Sequence, residues 1–158
     1  DVGRQLNFVS TARSSDWALD DMKGLSKGLP IDSMFAMNDP DFAERMGFPP
    51  GSSSSQRKAL TLLALERAVT ERGAKLKQVT VYDDTDANLR DCMLAIMAKG
   101  SSVPHVFNDV VHEDDGFHLR TVALWDGNSM KSPDRRRPLT EMDVIKLESQ
   151  DRPWKPKD

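Results

Sequence analysis

Between Ser53 and Gly100 the spacing of apolar residues changes period twice, and this constrains the fold more than any other feature of the chain. In "SSSQRKALTLLALERAVTERG", Leu62, Leu65 and Val69 with Ala68 recur at helical spacing. Ser53 followed three residues later by Gln56 has the form of a capping box, and Gly73 supplies the stop. "KQVTVYD" follows at once, a β-branched run suited to the interior of a sheet. "TDANLRDCMLAIMAKG" then returns to helical spacing, with Leu89, Cys92, Met93 and Ile96 on one face and Gly100 at the end. Helix, strand and helix in immediate succession bury their apolar faces by packing helix on sheet.

The alternation extends in both directions. Residues 5–10, "QLNFVS", predict a strand, with Leu6 and Phe8 apolar and Val9 breaking the pattern as in a strand buried on both faces. "WALDDMKGLSKG" predicts a helix with Trp17, Met22 and Leu25 on one face, Ser14 or Ser15 as N-cap, and Gly24 or Gly28 as its end. Residues 31–38, "IDSMFAMN", predict a second strand bounded by Pro30 and "NDPD". Residues 44–55, "ERMGFPPGSSSS", hold two prolines, two glycines and four serines, and we expect a loop there. "VPHVFNDVVHEDDGFHLRTVALWD" predicts two strands around "EDDG", a hairpin-type turn. Strands alternating with helices predict an α/β fold, a Rossmann-like three-layer sandwich with a mostly parallel sheet and a C-terminal hairpin. Residues 131–158 carry eight basic and six acidic residues and few large apolar groups. We expect an extended charged arm there, with at most one short helix near "LTEMDVIKLES", so that residues 1–130 form the core and 131–158 the arm.

The 158 residues suffice for one domain with a real core. A composition 38% hydrophobic and 30% charged, with net charge −3, argues against nucleic-acid binding driven by bulk charge. The single cysteine, Cys92, lies on an apolar helical face, which makes it a packing residue. One cysteine forms no intrachain disulfide, so a reducing, cytoplasmic setting is expected. No apolar run reaches the roughly 18 residues of a membrane span, and no basic-then-apolar leader opens the chain, so no membrane partner is expected. Asp1 rather than methionine comes first, and we expect further polypeptide upstream of it.

In open α/β sheets ligands bind beyond the carboxyl ends of strands, where helix N-termini and loop amides converge. Two such ends carry polar groups here. Ser10, Thr11 and Arg13 follow "LNFV"; Asp83 and Asp84 follow "VTVY". A hydroxyl with backbone amides can hold a phosphoryl oxygen, and adjacent carboxylates can hold Mg²⁺, a hard cation that keeps several waters. Lys58, on the polar side of the helix beginning near Gln56, could neutralise phosphate charge.

Thr11-Ala12-Arg13 after a strand, Lys58 at a helix start, and a strand ending in Asp83-Asp84 with Asn88 close behind resemble motifs II, III and IV of the haloacid dehalogenase-like phosphohydrolases. The resemblance covers roughly residues 5–100, in the family's order. Ala12 stands where that family often has glycine, and "DDTDAN" satisfies its fourth motif. The resemblance implies Mg²⁺-dependent hydrolysis of a phosphate ester, of a phosphorylated small molecule or a nucleic-acid end. In it Asp83 and Asp84 hold the metal with Asn88 orienting them, Thr11 and Arg13 bind the phosphoryl group, and Lys58 steadies the charge. The family's first motif, Asp-x-Asp at the end of a preceding strand, supplies the nucleophile and its acid/base partner and does not occur upstream of "LNFV". "DPD" at Asp39 and Asp41 has the spacing, but a proline separates its acids and Phe42 stands where glycine belongs. The resemblance therefore implies that the first strand and nucleophile are supplied by upstream or separate polypeptide or have been lost, and that this chain alone is inactive.

Each of these residues also has a plainer reading. Asp83 and Asp84 can offset a helix dipole, with an Asp or Thr85 as cap and Asp86 as a first-turn acid. Thr11 can cap, Arg13 can pair with Asp16 or Asp20, and Lys58 can be a solvated helix lysine. His112 and His118, six residues apart beside Glu113, Asp114 and Asp115, fit no zinc spacing and read as a solvated hairpin tip. His105 reads as structural. Ser52 to Ser55 lack the strand, elbow and histidine of a nucleophilic serine. Arg135 to Arg137 lie among acids, so a solvated arm, or one that docks onto a protein, is expected over nucleic-acid contact. The alternative to a phosphatase is accordingly a non-catalytic assembly protein that keeps the scaffold and docks through its C-terminal arm.

Overall fold

The computed structural model describes residues 8–11 and 33–133, with 137–140 and 142–143; the side chains described begin at Phe35. The predicted helix over "WALDDMKGLSKG", Arg13 and Arg135–Arg136 lie outside these. The chain divides into two units, Asp1–Lys58 and Ala59–Asp158, taken in turn.

In the first unit, β1 (Phe8–Thr11) pairs in parallel with β2 (Ser33–Ala36), Phe8 opposite Ser33 and Thr11 opposite Ala36. β2 falls within the stretch predicted from sequence, and β1 overlaps its own but runs one residue beyond it, so that Thr11 is the last residue of the strand rather than the first after it. The stretch expected as a loop from Glu44 is partly helical: α1 (Pro40–Met46) runs into it. Its start follows from local chemistry. Asp39 takes the amide of Asp41 on its carboxylate at 2.9 Å, and Pro40 occupies the first turn, where its missing N–H costs nothing. Gly47, at φ 63°, ends the helix in the left-handed region. "DPD" is therefore a helix start, which accounts for both acids without a nucleophile motif. Phe42 packs between Phe35 and Phe48, with ring centroids 5.5 and 5.7 Å away.

The capping box at Ser53 is formed. Its amide reaches Gln56 Oε1 at 2.9 Å and its hydroxyl takes the Gln56 amide at 3.2 Å, opening α2 (Ser54–Glu71). Arg57, in the first turn, donates to the Met37 carbonyl at 2.8 Å and to Ser52 Oγ at 3.0 Å, and lies over the Phe48 ring at 5.3 Å. This fastens the loop after α1 to the end of β2.

In the second unit, β3 (Val79–Asp83) and β4 (His105–Glu113) are parallel and joined by α3 (Asp86–Lys99). β5 (Gly116–Trp125) and β6 (Met130–Lys131) complete a sheet in the order β3-β4-β5-β6. Two of its three pairings are antiparallel, so the mostly parallel sheet expected from sequence is replaced by a mixed α/β arrangement. Connection length is the cause. β4 reaches β5 through Asp114 and Asp115 alone, and β5 reaches β6 through a tight turn at Asp126; parallel strands need a crossover of about a dozen residues.

All four residues predicted on the inner face of α3, Leu89, Cys92, Met93 and Ile96, are buried, and they meet Phe107, Ala123, Trp125 and Met130 of the sheet. Trp125 satisfies its indole N–H on the Ser101 carbonyl at 2.7 Å. The stripe of α2 differs from expectation. Ala59 and Glu66 are buried with Leu62 and Leu63 packed on the core, while Ala68 is exposed. The true stripe keeps the helical spacing but includes a glutamate. The start of the expected arm also belongs to the core: Lys131 lies in β6 and bridges to Pro138, and Leu139 packs against the cluster. No helix among the described residues is long and apolar enough to cross a membrane.

Candidate functional site: the junction of β3 and α3

β3 delivers Asp83 at its carboxyl end, and the chain turns into α3 within two residues. Thr85 holds the N-cap position in extended conformation, but its hydroxyl does not cap. It donates to Asp84 Oδ1 at 3.3 Å. Asp83 makes the turn: its Oδ1 accepts the Thr85 amide at 2.9 Å and the Asn88 Nδ2 at 3.0 Å, and Oδ2 lies 3.1 Å from the same nitrogen. One carboxylate thereby ties the strand end to the first turn of the helix, where the helix dipole favours negative charge. Asp86 is the first-turn acid expected from sequence.

Asp84 is differently placed. Its side chain is 38% exposed and its Oδ2 meets Nε2 of His112 at 3.2 Å. His112 comes from the far end of β4, so the expected solvated hairpin tip is partly tied back to the strand–helix junction. His118 keeps to the tip, in contact with Glu113. Sequence reading also missed Asp109. Parallel register sets it directly beside Asp83, so the two carboxylates share one face of the sheet. Asp109 is buried, and Arg120 Nη2 offsets its charge at 3.0 Å. The available signal was the period-two run His105, Phe107, Asp109, which puts an acid on a buried face.

Asp83, Asp84 and Asn88 are thus brought together, with Asn88 turning its amide nitrogen toward Asp83. Thr11 ends β1 and Lys58 lies in the first part of α2, half-buried; both belong to the first unit. Two consecutive carboxylates, one of them open to solvent, form an oxygen-donor set of the kind a hard cation takes together with water and ligand oxygens. Among the described residues no group of three His, Cys, Asp or Glu side chains could hold a metal ion, so a cation here would draw its remaining ligands from elsewhere. No family model, no curated protein and no solved structure matches the chain.

Proposed function

We propose that the chain is a haloacid dehalogenase-like phosphohydrolase domain whose nucleophile strand comes from other polypeptide. The observation that carries this is the Asp83 junction, a carboxylate held by Thr85 and Asn88 at the carboxyl end of a strand parallel to its neighbour, with a solvent-open Asp84 following. Each unit holds a parallel strand pair of the kind from which a Rossmann-like sandwich is built, and the outer edge of β3 has no strand beyond it among the described residues. A further parallel strand on that edge would end beside Asp83. In this reading Asp84 is the accessible metal carboxylate, Asp83 and Asn88 fix its backbone, and Thr11 and Lys58 keep the phosphoryl-binding and charge-neutralising roles the resemblance gives them. Mg²⁺, when bound, supplies neutralisation of phosphate charge.

Mg²⁺ titration of the chain followed by amide chemical shifts tests the reading. Saturable shifts confined to residues 83–88, absent in Asp84→Asn, support it, together with no hydrolysis of p-nitrophenyl phosphate by the chain alone. A flat titration counts against it. A second reading, a non-catalytic scaffold docking through its C-terminal arm, is favoured by the fact that Asp83 and Asp84 already serve Thr85, Asn88 and His112. It predicts that flat titration, and loss of partner association when residues 144–158 are removed.

A further inference from the structure

Asp83 and Asp84 are neighbours in sequence but differ in what they present to a ligand. Both oxygens of Asp83 face Asn88 Nδ2, at 3.0 and 3.1 Å, and Oδ1 also takes the Thr85 amide. Val81 and Asp83 lie beside Phe107 and Asp109 of β4, so alternation keeps this carboxylate on the side of the core cluster. Asp109, next to it, is engaged by Arg120. Asp84 follows one residue later and meets His112, which stands three residues beyond Asp109 and so on the opposite face of β4. The donor atoms that face each other toward solvent are therefore Asp84 Oδ2 and His112 Nε2, 3.2 Å apart with side chains 38% and 41% exposed.

That separation suits a shared ion as well as a shared hydrogen. Two ligand atoms each about 2.0–2.2 Å from one cation, at octahedral to tetrahedral angles, stand roughly 2.9–3.5 Å apart. The two residues come from positions 28 apart in the chain and are set by separate devices, Asp84 by the Asp83 turn and His112 by its place opposite Phe117 in the hairpin. One carboxylate oxygen with one imidazole nitrogen is not the all-oxygen set that Mg²⁺ prefers. Imidazole suits Zn²⁺ and its first-row neighbours.

We infer that Asp84 and His112 form the protein's side of a site for a borderline first-row ion of the Zn²⁺ type, with water or ligand oxygens completing its shell. This rests on the reading of Asp84 as the accessible metal carboxylate and changes which ion that carboxylate takes. Binding uses the imidazole tautomer that carries its hydrogen on Nδ1, so that the Nε2 lone pair meets the ion where a hydrogen otherwise lies. With two protein ligands, positions are left for the oxygens of a phosphate.

The test titrates the full chain with Zn²⁺ and, separately, with Mg²⁺, followed by amide chemical shifts, and repeats both on Asp84→Asn, His112→Gln and His118→Gln. Zn²⁺ is expected to shift residues 83–85 together with 111–113, saturably and at a concentration at least about tenfold below that needed for Mg²⁺. Asp84→Asn should remove the response. His112→Gln should weaken Zn²⁺ by about tenfold or more, with shifts elsewhere in β4 and β5 and the response to Mg²⁺ unchanged. His118→Gln takes away the other histidine paired with an acid, Glu113, and should alter neither titration. Zn²⁺ binding that survives His112→Gln overturns the inference, and so does binding that His118→Gln abolishes, which would put the ion at the hairpin tip. A saturable Mg²⁺ response at residues 83–88 without His112-dependent Zn²⁺ binding overturns the inference and leaves the phosphohydrolase reading standing. A flat response to both ions removes both. His112-dependent Zn²⁺ binding beside a flat Mg²⁺ titration upholds the inference while the Mg²⁺ form of that reading fails.

Discussion

Glu66 of α2 and His105 of β4 face each other inside the core, with Oε1 2.8 Å from Nε2 and side chains 7% and 0% exposed. The other ring nitrogen of His105 lies 2.7 Å from the Val103 carbonyl, which can only accept, so Nδ1 carries a hydrogen. Glu66 Oε2 and His105 Nε2 both lack a hydrogen-bond partner among the described residues, so the 2.8 Å charge contact between the two side chains is what offsets their burial.

Removing one member should therefore cost far more than removing both. Glu66→Ala or His105→Ala is expected to lower unfolding free energy by about 3–5 kcal/mol, because each strands a buried polar partner. Glu66→Leu combined with His105→Phe is expected near neutral or stabilising. Urea unfolding of the three variants checks this; a double variant as unstable as the sum of the singles would mean that packing volume, not the pair, dominates.

The Asp83 turn predicts an asymmetry between neighbouring acids. Asp83→Ala loses the acceptor for Thr85 and Asn88 and should destabilise by about 1–2 kcal/mol, in the manner of a lost N-cap. Asp84→Ala, at a half-exposed contact with His112, should change stability by less than about 0.5 kcal/mol. Thermal or urea unfolding measures both. Equal losses would show that the two acids share the structural load, which would weaken the case for Asp84 as a group spared for ligand.

What the sequence made legible follows how local each contact is. The face of α3 was readable because Leu89, Cys92, Met93 and Ile96 are all apolar. That of α2 was misplaced because Glu66 occupies a core position, justified only by a histidine far along the chain. The start of α1 was written in Asp39 and Pro40, but the prolines and glycines that follow masked a short helix. At the candidate site, Asp83 and Asn88 could be associated from sequence because one turn separates them. Asp109 and His112 arrive through strand register, which local patterns do not encode. The parallel sheet was over-read because alternating helices and strands end at β4, after which short turns impose antiparallel pairing.

Two carboxylates, Asp126 exposed and Asp143 half-buried, fasten the C-terminal part of the second unit and give it a defined acid response. Asp126 is held well below the usual carboxylate range by Lys131, whose Nζ lies 2.7 Å away, and by the amides of Ser129 and Asn128. Asp143 is held low by Arg137 and by the amide and hydroxyl of Thr140, which it meets in a second capping box. A carboxyl lower in the folded than in the unfolded state binds fewer protons when folded. Its contribution is complete above the unfolded value, about 4, and fades as pH falls through the folded one. Urea midpoints should therefore decline below about pH 4, and Asp126→Asn with Asp143→Asn should flatten that decline while lowering the midpoint at neutral pH. An unchanged slope would place the acid sensitivity in other carboxylates.

The turn that Asp126 closes also depends on Gly127. Its φ of +94° lies where side chains are disfavoured, and a Cβ built there would stand 2.8 Å from the Ser102 carbonyl oxygen. Backbone crowds that position, so rotamer adjustment cannot relieve it. Gly127→Ala should destabilise by about 1–3 kcal/mol, and because the turn sets β6 against Leu124 and Trp125, the loss should appear first as faster amide exchange at Met130 and Lys131. Gly116, whose added Cβ would meet nothing within 4 Å, provides the control: Gly116→Ala carries only the conformational strain of a positive φ. Equal losses at the two glycines would assign the Gly127 effect to backbone conformation alone. A larger loss at Gly127, with exchange quickened at β6, would assign the excess to the approach of Ser102, the contact that seats the last strand of the sheet.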